Sequence, residues 1–322
     1  MLNFAPIIPA RSDLDWCWYL RRHGKSGEAL ERILHDVGVM DPGGWAAWGR
    51  SGLTQTGSPV EMVFSAGEAD LALVTEVADP LEDRADRVDQ VCRIIRGYGG
   101  KSPDRALRDV ISAAQGAGRL NYGARLGLRH GKKGLQTALV AELPDGCTDI
   151  ARLINAKRCD ALLDGIPDEA TAEMLTVDGS SDAMTIHFSL PDNSPDHLGE
   201  LAALAQVSPD VLAIAIDQLS KKARGSIKPT GFTYTITPGA TAPILSLSFD
   251  AKTLFGTDRV ATDRFKSSGG FFLTGYTALI DSLPPSVPQA MHHGRVELMA
   301  RKGAAPLMSI SVAAPWSCLF VE

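Results

Sequence analysis

Residues 51–80 read SGLTQTGSPVEMVFSAGEADLALVTEVADP. Two apolar runs, 60–65 and 70–77, flank the short turn AGEA, and this spacing predicts a β-hairpin. Glu61 is out of place in the first run, between Val60 and the apolar Met62, Val63 and Phe64. Glutamate is rarely buried unless something pairs with it or it has chemistry to do. Glu61 is therefore either a solvated strand residue or a carboxylate held in a cavity for use.

The same architecture recurs along the chain. Strand-like pairs are predicted at 125–130 and 136–143 around GKKG, and at 172–177 and 184–190 around DGSSD. Two more follow at 232–237 and 244–250 around PGATAP, and at 295–300 and 307–313 around KGAAP. Between the pairs the period turns helical. Leu81, Val88, Val91, Cys92 and Ile95 fall near one face of a helix. Ser208 is placed to cap a second helix that opens on Pro209 and stops at Gly225. The stretch 259–285 is one helix or two short ones, broken near Gly269 and Gly270. Hairpins begin about every 60 residues, the mark of one architecture built from similar units. The predicted fold class is α/β of the α+β kind: ten antiparallel strands in five hairpins close into a barrel inside a ring of helices. Closure leaves no strand edge exposed. No linker signal interrupts residues 1–322, so a single domain is expected.

Bulk composition narrows the function classes. The chain has 322 residues, 44% of them apolar, enough for a large core. A net charge of −6 gives no basic footprint for nucleic acid or anionic lipid. Five scattered cysteines (Cys17, Cys92, Cys147, Cys159 and Cys318) form no CxxC pair and read as buried thiols of a reducing compartment. Charged residues at Arg11, Asp13 and Asp15 precede any long apolar run, and no run of about 18 apolar residues exists. A cytoplasmic protein with no membrane and no nucleic-acid partner is expected.

The opening stretch resembles the motif of the indole (dimethylallyltryptophan synthase-type) aromatic prenyltransferases. In that motif T-x-x-G-x-P-x-E is followed by a strand ending in Glu and then Pro; here it runs from Thr54 to Glu61. Five helix–hairpin units are likewise that family's ABBA barrel, whose substrates react in the lumen. The resemblance covers most of the chain in architecture and is specific in sequence over about 51–80. It implies that Glu61 accepts a hydrogen bond from an indole N–H and assists proton loss as the ring is substituted. It also implies that the backbone around Leu53 holds a substrate amino group.

Such prenyltransferases hold an allylic diphosphate with Arg, Lys and Tyr, typically on the second strand of successive hairpins, because a buried diphosphate needs positive or strongly donating partners. Side chains at i and i+2 share a strand face, and the outer face must be apolar to meet the helices. The lumen positions on those second strands are then Ala72 and Val74, Ala138 and Val140, Thr185 and His187, Ser246 and Ser248, and Ser309 and Ser311. None is Lys, Arg or Tyr. The remaining lumen candidates are Arg295 and Glu297, as buried partners or as an exposed strand end, with Arg125 or Arg129. His187 is either a functional titratable group or a hydrogen-bonded structural histidine.

Other signals carry little. The acidic run 82–86 follows Pro80 at a helix start, where acids favour the positive end of the dipole rather than a metal. GYGGKS at 97–102 lacks the first glycine of a phosphate loop. Adjacent His292 and His293 point to opposite strand faces and make a poor metal pair. No metal and no cofactor is implied. Three functions stay open. The first is a natural-product enzyme acting on a small aromatic molecule without diphosphate, with Glu61 as base and His187 as partner acid; cyclisation, isomerisation and non-prenyl group transfer fit it. The second is an active aromatic prenyltransferase. The third is a non-catalytic binding protein.

Overall fold

In the computed structural model the described residues are 20, 24–39, 51–55, 58–66, 70–77, 83–144, 166–181, 183–191, 197–220, 227–267, 275–281, 283 and 291–313. Ten strands close a barrel: β1 Val60–Ser65, β2 Leu71–Glu76, β3 Ala124–Gly131, β4 Gly134–Glu142, β5 Thr171–Asp178, β6 Met184–Ser189, β7 Gly231–Ile236, β8 Ile244–Asp250, β9 His293–Ala300 and β10 Leu307–Ala313. Every strand pairs antiparallel with its chain neighbours, and β1 closes on β10 with Val63 opposite Ser311. The five hairpins fall where the alternation of apolar residues puts them, within two residues at each end.

Eight helices are found among the described residues: α1 Lys25–Asp36, α2 Arg87–Gly97, α3 Arg105–Gly116, α4 Leu198–Leu204, α5 Pro209–Ser220, α6 Ala251–Phe255, α7 Asp258–Ser267 and α8 Tyr276–Ile280. Val88, Val91, Cys92 and Ile95 of α2 are buried together, as their spacing requires; Leu81 and the expected stop at Gly225 lie outside the described residues. The stretch that admits one helix or two holds α7 and α8 among the described residues, and the expected break near Gly269 and Gly270 lies outside them. Asp104 caps α3, its carboxylate accepting the Leu107 N–H at 2.8 Å. No helix among the described residues is long and apolar enough to cross a membrane.

The main apolar core is a shell between barrel and helices. Along β1 the outward Val60, Met62 and Phe64 are buried under helices, while Glu61, Val63 and Ser65 alternate with them and are half-buried. β6 repeats this, with Met184, Ile186 and Phe188 outside and Thr185, His187 and Ser189 inside. Each fully buried aliphatic or aromatic side chain stabilises the shell by about 1.5–3 kcal/mol. The polar inner face is what that shell leaves free for a ligand.

Candidate active site

A cavity of about 1000 Å³ fills the barrel, walled by all ten strands. The lumen positions expected from alternation all line it: Thr185, His187, Ser246, Ser248, Ser309 and Ser311, with Ala72, Val74, Ala138 and Val140. Glu61, Leu53, Arg295 and Glu297 line it too. Both Arg125 and Arg129 face inward, so the choice between them resolves to neither alone.

Glu61 stands on β1 with its carboxyl over Gly294 of β9 and beside Ser311 of β10; a Cβ built on Gly294 falls 2.7 Å from Glu61 Oε1 and 2.8 Å from Ser311 Oγ. Burial pushes the Glu61 carboxyl above the usual carboxylate range, and neighbouring Glu297 adds to this. A hydrogen bond from Ser311 and the charges of Arg295 and Arg125 offset it only in part. The result is a carboxylate of raised basicity at the cavity wall.

His187 has the opposite shift. Burial, helped by the Arg295 charge, lowers its pKa to about 3, so the imidazole is neutral at ordinary pH. Nε2 is hydrogen-bonded to Thr176 Oγ1 at 3.1 Å, and Nδ1 is shielded from solvent without a hydrogen-bond partner among the described residues. The role of partner acid does not suit it: a proton donor needs the imidazolium, and this environment disfavours that form.

Cations are segregated in the wall. The lining of β5–β8 is rich in hydroxyls, with Thr185 and Thr235 sharing a hydrogen bond at 2.8 Å, and its charged members are the carboxylates of Glu173, Asp178 and Asp250. Arginines come from β3, β9 and the segment after α3, as Arg125, Arg129, Arg295 and Arg119. Arg125 donates from Nε to Glu76 at 3.1 Å, and Glu76 also takes Arg87 at 3.1 Å; all three side chains are nearly shut off from solvent. Arg295 lies 3.9 Å from Glu297, with its own side chain 48% exposed, a loose pair of little worth. Arginine–glutamate partnership thus holds for residues 295 and 297, but at a cavity surface rather than in a dry interior.

Several lining residues escaped the sequence. Glu142, at the end of β4, accepts the backbone N–H groups of Asn121, Tyr122 and Gly123, each at 2.7 Å. This holds the loop so that the Tyr122 ring lies 3.6 Å from the Arg125 guanidinium carbon, a cation–π contact. Gly123 has φ +72°, and a Cβ there would meet Arg84 O at 2.1 Å, so only glycine fits. Alternation would have found Thr176, Thr233 and Thr235, which lie on first strands of their hairpins; nothing local marks Glu142 or Tyr122. Leu53 sits in the segment 51–55 at the lumen mouth, its N–H donated to Ser51 Oγ at 3.1 Å. Gln55 of that segment donates to Asp250 at 3.0 Å, tying it to the end of β8. His292 is bonded to Ala313 O and His293 to Asp258 and Tyr276, and no cluster of metal-ligating side chains occurs among the described residues.

No protein-family model and no curated protein matches the sequence. Solved structures do resemble the fold. A 5-dimethylallyl tryptophan synthase from Streptomyces coelicolor, solved with DMASPP and Trp, superposes with a TM-score of 0.75 at 13% identity, covering 94% of this chain and 95% of its own. A 6-dimethylallyltryptophan synthase from Micromonospora olivasterospora, also solved with DMASPP and Trp, gives 0.75 at 16% identity, covering 95% and 97%. AnaPT from Neosartorya fischeri gives 0.59 at 11% identity over 95% of each chain. A closed ten-stranded antiparallel barrel ringed by helices is thus shared over nearly the whole length, and this chain has the ABBA barrel fold of aromatic prenyltransferases.

Proposed function

We propose that the protein is an enzyme of natural-product metabolism that takes an aromatic, indole-like substrate into the barrel lumen. It acts there by acid–base chemistry with Glu61 as base and without an allylic diphosphate. The observation that carries this is the pairing of a raised-pKa carboxyl at the cavity wall with opposite strands, β5–β8, whose lining residues are rich in hydroxyls, include the carboxylates of Glu173, Asp178 and Asp250, and hold no Lys or Arg among the described residues. A diphosphate buried there would face Thr176, Thr185, Thr233, Thr235, Ser246 and Ser248 rather than cations. Two of the lumen arginines already have a carboxylate beside them. Glu61 suits removal of a proton from a ring nitrogen or ring carbon, since a base of raised pKa gains driving force for the transfer. His187, being neutral, serves as a hydrogen-bonding group that orients an uncharged part of the substrate. The solved barrels of the same fold carry tryptophan, which supports an aromatic occupant here.

A second reading, an active prenyltransferase, is favoured by the four arginines that reach the cavity. Calorimetry with dimethylallyl diphosphate separates the two. The proposal expects no binding in the micromolar range and no prenylated product on incubation with tryptophan; either one transfers the function to the second reading. Screening aromatic acceptors then supplies the substrate. In that assay Glu61→Gln, which keeps the shape and loses the basic oxygen, lowers turnover by roughly 10²–10⁴ with folding intact. Turnover within a few-fold of wild type removes Glu61 as base.

A further inference from the structure

Two features of β9 and β10 have no explanation in the strand pattern. The ladder between these strands slips between Ile310 and Val312, with Val312 opposite His293, so that Gly294 and Ser311 sit in a bulge. Gly294 is also a glycine without a conformational need, since its φ is not among the positive values. What it does is leave space. A Cβ at residue 294 would lie closer to Glu61 Oε1 and Ser311 Oγ than real Cβ contacts allow.

We propose that the Gly294 bulge is a seat for the Glu61 carboxyl and that Gly294 and Ser311 are its positioning residues. This rests on the reading of Glu61 as the base. Ser311 Oγ accepts the Arg295 backbone N–H at 2.7 Å, which fixes the oxygen and leaves its own O–H to donate to Glu61. The carboxyl is held from the wall side, leaving its other lone pairs for the lumen. Charged groups acting on it are Arg295 and Arg125, which favour the carboxylate, and Glu297, which opposes it.

The bulge is braced from outside the barrel. Asp258, the first residue of α7, accepts the backbone N–H of His292 at 2.9 Å and of His293 at 3.1 Å. Its carboxylate also bonds the His293 ring, which is fully buried and reaches Tyr276 Oη at 2.6 Å on α8. On the β10 side, Ala313 N donates to His292 O at 2.8 Å and His292 Nδ1 meets Ala313 O at 2.8 Å. Ala313 is in turn the register partner of Glu61. The backbone on the His292–His293 and Ala313 side of the bulge is therefore clamped from both strands, which a bulge serving only to end the pairing would not need.

The test reads the Glu61 carboxyl directly. Protein labelled with ¹³C at the glutamate side-chain carboxyls is titrated by NMR, and Glu61→Gln identifies the resonance. Ser311→Ala removes the donated hydrogen bond, so the Glu61 midpoint moves upward, and Ser311→Thr, which keeps a hydroxyl, brings it back toward wild type. Gly294→Ala shifts the Glu61 resonance at both ends of the titration, because its Cβ presses on both Glu61 Oε1 and the fixed Ser311 Oγ. A midpoint unmoved in Ser311→Ala, or displaced equally in Ser311→Thr, overturns the proposal, whether or not Gly294→Ala folds. The titration needs no substrate. If the midpoints move as expected while Glu61→Gln keeps its turnover, the seat stands and only the base reading falls.

Discussion

His187 and Glu61 face one lumen with opposite titration behaviour, and the signs can be checked by stability. The folded-state pKa of His187 is about 3 against an ordinary 6.5. Between those values the unfolded chain takes up a proton that the folded chain refuses. Stability from the neutral ring is thus full above pH 6.5 and is lost as pH falls toward 3. Melting temperatures of His187→Gln should decline less than wild type across that window; parallel curves would place the ring in solvent. Glu61 carries the reverse sign, because its folded pKa is raised. Its contribution is present below the ordinary carboxylate pKa and lost as pH rises through the folded value. Glu61→Gln should therefore gain stability over wild type on the alkaline side of that transition. Of this pair, the oddity of Glu61 was visible in its apolar neighbours. The neutrality of His187 was not, because it depends on burial inside the closed barrel and on the charge of Arg295, far along the chain.

At the scale of elements, β-strand alternation is a strong guide because one register decides which face each side chain occupies. Ser246 and Ser248 point inward because Leu245, Leu247 and Phe249 must meet helices, and that inference needs only five letters of sequence. The loop after α3 is different. Residues 121–123 take their shape from Glu142, some twenty residues later, and from Gln115, which donates to Gly123 O and Glu142 O at 2.6 and 2.9 Å. Glu142→Ala leaves three backbone N–H groups without their charged acceptor, and should cost roughly 2–4 kcal/mol in chemical denaturation. The same variant should release Tyr122 from Arg125, readable as a change in tyrosine fluorescence or aromatic NMR shifts. A loss below about 1 kcal/mol would mean that water replaces the carboxylate at the loop.

For the whole molecule, closure is the decisive event. β1 finds β10 some 250 residues away, and with that seam made each strand has a neighbour on both sides. Backbone amides of β1 and β10 should then exchange with solvent as slowly as those of β5–β8. Edge-like exchange over residues 61–65 would show the barrel open at this seam. Closure also creates the site, because Glu61, Ser311 and Gly294 meet only across it.

Local physics was enough for the five hairpins, the inward and outward faces, the amphipathic helix of Val88, Val91, Cys92 and Ile95, and the suspicion that Glu61 has a purpose. Each of these rests on periodicity or on one residue against its chain neighbours. Other properties came from contacts that periodicity cannot encode. They are the burial that shifts Glu61 and His187 apart, the Glu76 carboxylate that accompanies Arg125, and the space over Gly294. The reason is common to all three. Desolvation, ion pairing and free volume depend on which distant residues the closed barrel brings within a few ångströms, and closure joins positions that no local pattern links.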